Sequence, residues 1–385
     1  MKVLHVIPSV SDRSGGPAQA IFPMCRALQE QGVEIRLITT TDGVDLNGTA
    51  LGTPVDYKNV TTRFFPVQWG ESFKYSKPMA SWLDDNVGQF DLVHIHAVFN
   101  HACVAAARAC RKHHVPYVVR PLGTLDPWGM SQKRLMKTTF WHVSGKRMMR
   151  GASAVHYTTR AEKQGAEELL SLNHGHVVPL GIDLEIVEAL LDQQQATQPP
   201  AQPYVLVLSR LHPKKRLEAL IDAFLKVVEQ PEFRDWRLVL AGDGPADYVA
   251  VLRNKASSEL AREYVLFPGW LDGEAKKLFL HRASVLALPS HRENFGLCVM
   301  EALACGIPVI VSPQVNLSEA IEAAGAGWIV DLDREDLTAT LREALSSEAE
   351  RLQRGKAGKE MSARFTWPQV ACEILDMYAK VLTTN

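Results

Sequence analysis

Eight short runs rich in leucine and β-branched residues punctuate the chain: VLHVI (3–7), VEIRLI (33–38), DLVHIH (91–96), PYVVR (116–120), YVLVLS (204–209), WRLVLAG (236–242), SVLALPS (284–290) and IPVIVS (307–312). Between them the apolar positions recur at helical spacing. Strands alternating with helices predict parallel sheets covered on both faces. The alternation pauses at 193-QQQATQPPAQP-203, which holds three prolines and no apolar period and suits a linker. After Trp367-Pro368, residues Val370, Ile374, Met377, Tyr378 and Val381 form a helical stripe that needs a surface to dock on. The expected fold class is therefore α/β, with two doubly wound Rossmann-like domains facing a central cleft. The expected boundaries are 1–190, 191–365 and a terminal helix over 366–385 that packs back on the first domain.

Local signals mark some helix starts. Gly15-Gly16-Pro17 opens the first helix, and Thr159-x-x-Glu162 reads as a capping box. A length of 385 residues exceeds what one core supports and agrees with two domains. Lys+Arg 42 against Asp+Glu 43 leaves a net charge of −1, so bulk charge gives no reason to expect a nucleic-acid partner. The six cysteines include no C-x-x-C and no zinc spacing; the pairs 103/110 and 298/305 read as small apolar residues on helix faces, and a reduced, cytoplasmic setting follows. MKVLHVIPSV is too short an apolar run for a secretory leader and reads as a first strand.

In open parallel sheets ligands bind at the loops leaving the carboxyl ends of strands, so chemistry is sought there. Gly15 and Gly16 let backbone N–H groups approach an anion, or are simply turn glycines; they are not part of a G-x-G-x-x-G. His94 and His96 share a strand face and His101 starts the next helix. Each is either a packed histidine or a catalyst, and His96, at the strand end, is the best placed of the three. In 209-SRLHPKKR-216, Arg210 and Lys215 can reach a diphosphate, or can form a solvated basic loop. Asp243-Gly244-Pro245 is a tight turn that permits close approach to a ligand, and 267-FPGWLDGEAKKLF-279 supplies an apolar loop suited to a flat base. In 290-SHRENFGLCVMEALACGIPVIVS-312, Glu293 sits in a loop and Phe295-Gly296-Leu297 begin a helix whose free N–H groups attract oxygens. Glu301, one to two turns on, can accept from vicinal hydroxyls of a ribose while Glu293 accepts from a second sugar. Helix-dipole capping by Glu301 and a surface Glu293 is the competing account.

Together SGGP, SRLHPKK, AGDGP, PLGID and E-N-F-G-L-x-x-x-E followed by ALACGIPVIVS resemble the retaining glycosyltransferases of family 4, with the GT-B fold, over nearly the whole chain. The resemblance implies that Arg210 and Lys215 hold the donor diphosphate and offset the charge of the leaving group. It assigns Glu301 to the ribose, and Glu293 with the backbone of Asn294, Phe295, Gly296 and Leu297 to the donor sugar and its phosphate. Gly15 and Gly16 would lie against that phosphate, and His96 would contact the transferred sugar. Catalysis is expected to involve His96, Arg210, Lys215 and Glu293, with no cofactor, and with no metal if Arg210 and Lys215 carry the phosphate charge.

The stretch from Asp126 to Glu162 has seven Lys/Arg and no acid between its ends, and 132-QKRLMKTTFWHVSGKRMMR-150 interleaves bases with Leu135, Met136, Phe140, Trp141, Met148 and Met149. It is either a surface helix or a segment that lies on an anionic membrane face. With 120-RPLGTLDPWGMSQKR-134 it resembles members that extend exported polysaccharides. That resemblance implies a glycan or polyprenyl-diphosphate-linked acceptor and a cytoplasmic protein peripheral to the inner membrane face. A non-catalytic sugar- or nucleotide-binding protein and a nucleotide-sugar epimerase of similar fold are the alternatives.

Overall fold

The computed structural model describes residues 1–11, 15–46, 48, 50–70, 72–125, 130–131, 134–183, 198–333 and 337–384. They form two compact units, Met1–Gly181 with Trp367–Asn385, and Ile182–Thr366. The expected boundary at 190/191 and the first half of the expected linker lie outside the described residues.

The first unit is built on an eight-stranded sheet in the order β3-β4-β2-β1-β5-β6-β7-β8. Its strands are β1 (Lys2–Val6), β2 (Glu34–Thr40), β3 (Pro54–Tyr57), β4 (Val60–Phe65), β5 (Leu92–His96), β6 (Tyr117–Arg120), β7 (Ala154–Tyr157) and β8 (Gly175–Val177). All pair in parallel except β3, which runs antiparallel to β4. The strand period of two divides β1 and β5 cleanly. Leu4, Val6, Val93 and Ile95 face an apolar core shared with α2 (Lys77–Asn86) and α3 (His101–His113). The alternate positions, His5, His94 and His96, face the other side, where α1 (Gly16–Glu30) packs against the terminal helix Trp367–Thr384. That helix buries Val370, Ile374, Met377, Tyr378 and Val381, the whole of its apolar stripe.

The second unit carries a six-stranded, wholly parallel sheet, β11-β10-β9-β12-β13-β14. Its strands are β9 (Tyr204–Leu208), β10 (Arg237–Ala241), β11 (Val265–Gly269), β12 (Val285–Leu288), β13 (Val309–Val311) and β14 (Gly327–Ile329). Val205, Val207, Leu238 and Leu240 pack with Leu220, Ile221 and Phe224 of the helix after β9. The residues read as an apolar loop from 267 to 269 are instead the end of β11, because Val265 and Leu266 draw them into register beside β10.

Helix starts follow their local chemistry. Gly15 caps α1 at φ 81° with proline in the first turn, and Asn100 caps α3 by accepting from the Cys103 N–H at 3.1 Å. The capping box at 159–162 is only half formed. Thr159 Oγ1 accepts from the Glu162 N–H at 3.1 Å, but the Glu162 carboxylate turns inward to accept from Thr158 N and Oγ1, both at 2.8 Å, and from Gly123 N at 2.5 Å. Burial decides this, since Glu162 is 3% exposed and a buried carboxylate needs several donors. All six cysteines are free thiols; Cys103 and Cys110 are buried in α3, whereas Cys298 and Cys305 are only partly covered, Cys305 because it ends its helix.

Candidate active site

In the second unit the loops after β9, β10, β12 and β13 meet at the carboxyl ends of the strands. The loop after β9 is held by β10's exit, with the Leu211 N–H donating to Asp243 C=O at 2.8 Å. Gly242, at φ 150°, and Gly244 are obligatory for this contact. A Cβ at Gly242 would lie 1.8 Å from the Ser209 carbonyl oxygen, and one at Gly244 would lie 2.0 Å from that of Leu211. The close approach that the turn Asp243-Gly244-Pro245 permits is made here to protein backbone.

One helical turn, Pro213–Lys215, then turns Lys215 inward while Arg210 stays exposed. The Lys215 ammonium donates to Glu293 Oε2, in a pair whose side chains are 8% and 19% exposed. Glu293 is itself fixed by its backbone, donating to Gln314 C=O at 3.1 Å and accepting from Asn316 N at 3.0 Å. Burial alone raises its carboxyl, but Lys215, Lys214 and Arg210 outweigh burial and hold it below the ordinary range, so Glu293 is an anion at neutral pH. Gly296, at φ 69°, caps the helix Leu297–Ala304 and, being a glycine, offers its first N–H groups no side-chain acceptor.

Glu301 lies on that helix and forms a second pair, with Lys276 Nζ 2.6 Å from its Oε1. Lys276 carries no sequence signal, because its partner is 25 positions away on another element. Two buried polar atoms here have no hydrogen-bond partner among the described residues, Glu301 Oε2 and Ser290 Oγ. Although the residue Cys298 is partly exposed, removal of its thiol from water, beside both ion pairs, pushes that thiol up to about 12. The structure therefore brings Lys215, Glu293, Asn294, Phe295, Gly296, Leu297 and Glu301 to one end of one sheet, with Arg210 at its exposed edge.

The chain also holds a D-x-D tripeptide, Asp331-Leu332-Asp333, at which Asp333 Oδ1 accepts from Arg216 at 3.1 Å.

In the first unit, Gly15 and Gly16 stand at the start of α1 after the β1 exit. His96 is at the carboxyl end of β5 but is 1% exposed, and its Nε2 meets His5 Nδ1 at 2.9 Å. The next residue, Ala97, holds φ 97°, an uncommon value for a side chain with a Cβ, pinned by its N–H to the Arg120 carbonyl at 2.9 Å. His94 lies 2.7 Å from Tyr378 Oη through Nδ1 and 3.2 Å from His156 Nδ1 through Nε2. His156 Nε2 lies 2.8 Å from the Val178 carbonyl.

These contacts fix the protons. A carbonyl only accepts, so His156 carries hydrogen on Nε2 and accepts at Nδ1; His94 donates from Nε2 and accepts at Nδ1; Tyr378 donates. The chain requires neutral rings. Burial, with the Arg120 guanidinium second, lowers His5 and His156 to about 3. His94 and His96 are pushed well below the ordinary value by burial first and then by neighbouring histidines and Arg120. Nitrogens of His5, His94 and His96 lie within 4.8 Å of one another. They do not suit a metal, since both His94 nitrogens are engaged and a guanidinium cation stands beside them. His96 is thus part of a buried polar layer that sequence spacing within one strand could not disclose.

Residues 15–181 match the model of the Glycosyl transferase 4-like domain, and residues 191–361 match Glycosyl transferases group 1. Among curated relatives, the phosphatidyl-myo-inositol mannosyltransferase of Mycobacterium leprae is 24% identical over 100% of this chain and 98% of its own. The GDP-mannose-dependent alpha-(1-6)-phosphatidylinositol dimannoside mannosyltransferase of Mycobacterium tuberculosis is 32% identical over 51% of this chain and 50% of its own. For several relatives, among them D-inositol 3-phosphate glycosyltransferases, the match spans about half of their length, from 43% to 51%. Two solved structures share the fold at low identity. Sucrose-phosphate synthase from Thermosynechococcus elongatus aligns with a TM-score of 0.77 at 19% identity over 100% of both chains. Anabaena HepE in complex with UDP and glucose aligns at 0.74 and 18% identity over 99% of this chain and 100% of its own. With a Glycosyl transferase 4-like domain followed by a Glycosyl transferases group 1 domain, in the fold these solved structures share, the chain belongs among the glycosyltransferases of GT-B fold.

Proposed function

We propose that the protein moves a sugar from a nucleoside-diphosphate sugar to a glycan or lipid-linked saccharide in polysaccharide biosynthesis, with retention of anomeric configuration and without a metal. The observation that carries this reading is the pair of Lys–Glu contacts flanking a helix N-terminus, together with a buried carboxylate oxygen, Glu301 Oε2, that has no partner. Such an atom costs free energy unless something donates a hydrogen bond to it, and a ribose hydroxyl can do so.

In the proposed reaction the bond from the anomeric carbon to the diphosphate oxygen breaks, and its electron pair goes to the diphosphate. Arg210 and Lys215 stabilise that charge, which is where preorganised electrostatics contribute most. Glu293, kept anionic by its basic neighbours, orients the hydroxyls of the donor sugar. The acceptor hydroxyl attacks from the face the diphosphate leaves, and its proton passes to the departing phosphate oxygen. Relatives named as a phosphatidyl-myo-inositol mannosyltransferase and a phosphatidylinositol dimannoside mannosyltransferase support a lipid-linked acceptor.

The 134–150 segment supports contact with a membrane face. Leu135, Met136 and Val143 are 87%, 55% and 73% exposed, and Arg134, Lys146, Arg147 and Arg150 are exposed around them. A π-helical turn, Trp141–Gly145, interrupts the run. No helix of the described residues is long and apolar enough to cross a membrane, so attachment would be peripheral. Residues 132 and 133 lie outside the described residues.

The test is incubation with UDP-, GDP- and ADP-sugars and polyprenyl-diphosphate saccharides, with EDTA present, followed by NMR of the product's anomeric centre. Release of nucleoside diphosphate coupled to an acceptor-dependent product of retained configuration supports the proposal. Inversion, a requirement for metal, or interconversion of donor sugars without acceptor contradicts it.

A further inference from the structure

No sequence motif marks Lys276, yet it makes the closest contact of Glu301. The pair is drawn in from solvent, with side chains 19% and 12% exposed, so it is unlike the solvated ion pairs that contribute little. Its geometry is unsymmetrical. Oε1 takes the ammonium at 2.6 Å while Oε2 is buried without a partner. An ammonium has three N–H donors, and among the described residues Glu301 is the one acceptor that the Lys276 ammonium meets. A free donor and a free acceptor therefore flank Oε1. They complement two adjacent ring hydroxyls, one giving its proton to Oε2 and its neighbour accepting from Nζ.

Resting on the donor reading above, we infer that Lys276 and Glu301 form a single receptor for the ribose cis-diol, with Lys276 a specificity-determining residue. A carboxylate alone can only accept, so it would need both hydroxyl protons. The pair takes one hydroxyl in each sense. It thereby selects ribonucleotide over deoxyribonucleotide through two side chains on different elements.

The experiment is calorimetric binding of UDP, GDP and ADP to the full chain, followed by the 2′-deoxy and 3′-deoxy forms of whichever binds. Lys276→Met is expected to weaken the ribonucleotide about tenfold or more, the loss of one hydrogen bond to a charged group. It is also expected to shrink the preference over the deoxy forms, and Lys276→Arg is expected to retain most of both. Because Lys276→Met strands a buried carboxylate, the double variant Lys276→Met/Glu301→Gln is measured as well. Its loss should fall short of the sum of the single losses, as for two groups acting together. Wild-type affinity and preference in Lys276→Met, or strictly additive losses, overturn the shared receptor. Binding that is sensitive to Glu301→Gln but not to Lys276→Met refutes this inference alone. Absence of any nucleoside diphosphate binding by the wild type refutes the donor reading and the inference with it.

Discussion

The buried histidine row makes the first unit acid-sensitive by an amount that can be worked out. In the unfolded chain a histidine titrates near its ordinary value of 6.5, whereas His5 and His156 are lowered to about 3 in the fold. Between those values the unfolded chain binds more protons, so stability is full above about pH 6.5 and is lost as pH falls toward 3. By about pH 5, protonation confined to the unfolded state costs about 2 kcal/mol per histidine, or about 4 kcal/mol for these two. His156→Gln isolates one share, because a glutamine amide can still donate to the Val178 carbonyl that His156 Nε2 now meets at 2.8 Å. The assay is urea unfolding at about pH 7 and about pH 5, read by pulse hydrogen exchange in peptides covering β5 and β7. Those peptides report on the first unit separately, which a chain of two compact units requires. The variant should lose about 2 kcal/mol less than wild type between the two conditions. An equal loss in both proteins would mean that His156 is not held neutral, and the proton assignments along the chain to Tyr378 would fail with it.

Tyr378→Phe should destabilise the first unit by about 1–3 kcal/mol, since it leaves His94 Nδ1 buried without its donor; stability within experimental error of wild type would contradict the assigned direction of that bond. Gly242→Ala should cost about 3 kcal/mol or more, because its Cβ would meet the Ser209 carbonyl at 1.8 Å and the φ of 150° excludes relief by small shifts. Normal expression and melting of that variant would show the loop to be more yielding than its packing implies. Lys215→Met should reduce turnover on the order of a hundredfold or more and also unfold more readily, with stability regained in Lys215→Met/Glu293→Gln. Glu293 has a depressed carboxyl, so the contribution of this pair is present above the carboxylate's unfolded value and is lost as pH falls through the folded one. A double variant no more stable than the single one would argue that the pair is not an electrostatic unit.

Much of the scaffold was readable because strands buried on both faces write continuous apolar runs, and all eight such runs became strands. The strands that escaped lack that signature. PVDY and VTTRFF mix polar with apolar positions toward one end of the sheet, AVHY, GHV and GWI are short and each includes a histidine or a glycine, and VLFPG ends in a proline and glycine that read as loop. The glutamates of 290–312 were legible because their separation straddles a helix start within one segment. Lys276 was not, since its pairing depends on how two helices sit side by side. Likewise the parity of His94 and His96 follows from one strand, but their union with His5, His156, Arg120 and Tyr378 depends on strand order and a helix nearly 300 positions on. The turn at AGDGP could be recognised from its glycine and proline; that its glycines make room for the carbonyls of Ser209 and Leu211 needed the structure.

The central claim is that the loops around Glu293 and Glu301 hold a nucleoside diphosphate. Thermal unfolding of the full chain with UDP, GDP, ADP and NAD, each with and without magnesium, tests it most directly, because a ligand that binds only the folded state raises the melting temperature. The account predicts a rise with a nucleoside diphosphate, no dependence on magnesium, and loss of the rise in Glu301→Ala. A rise with NAD alone, with none of the four, or one that survives Glu301→Ala would contradict it.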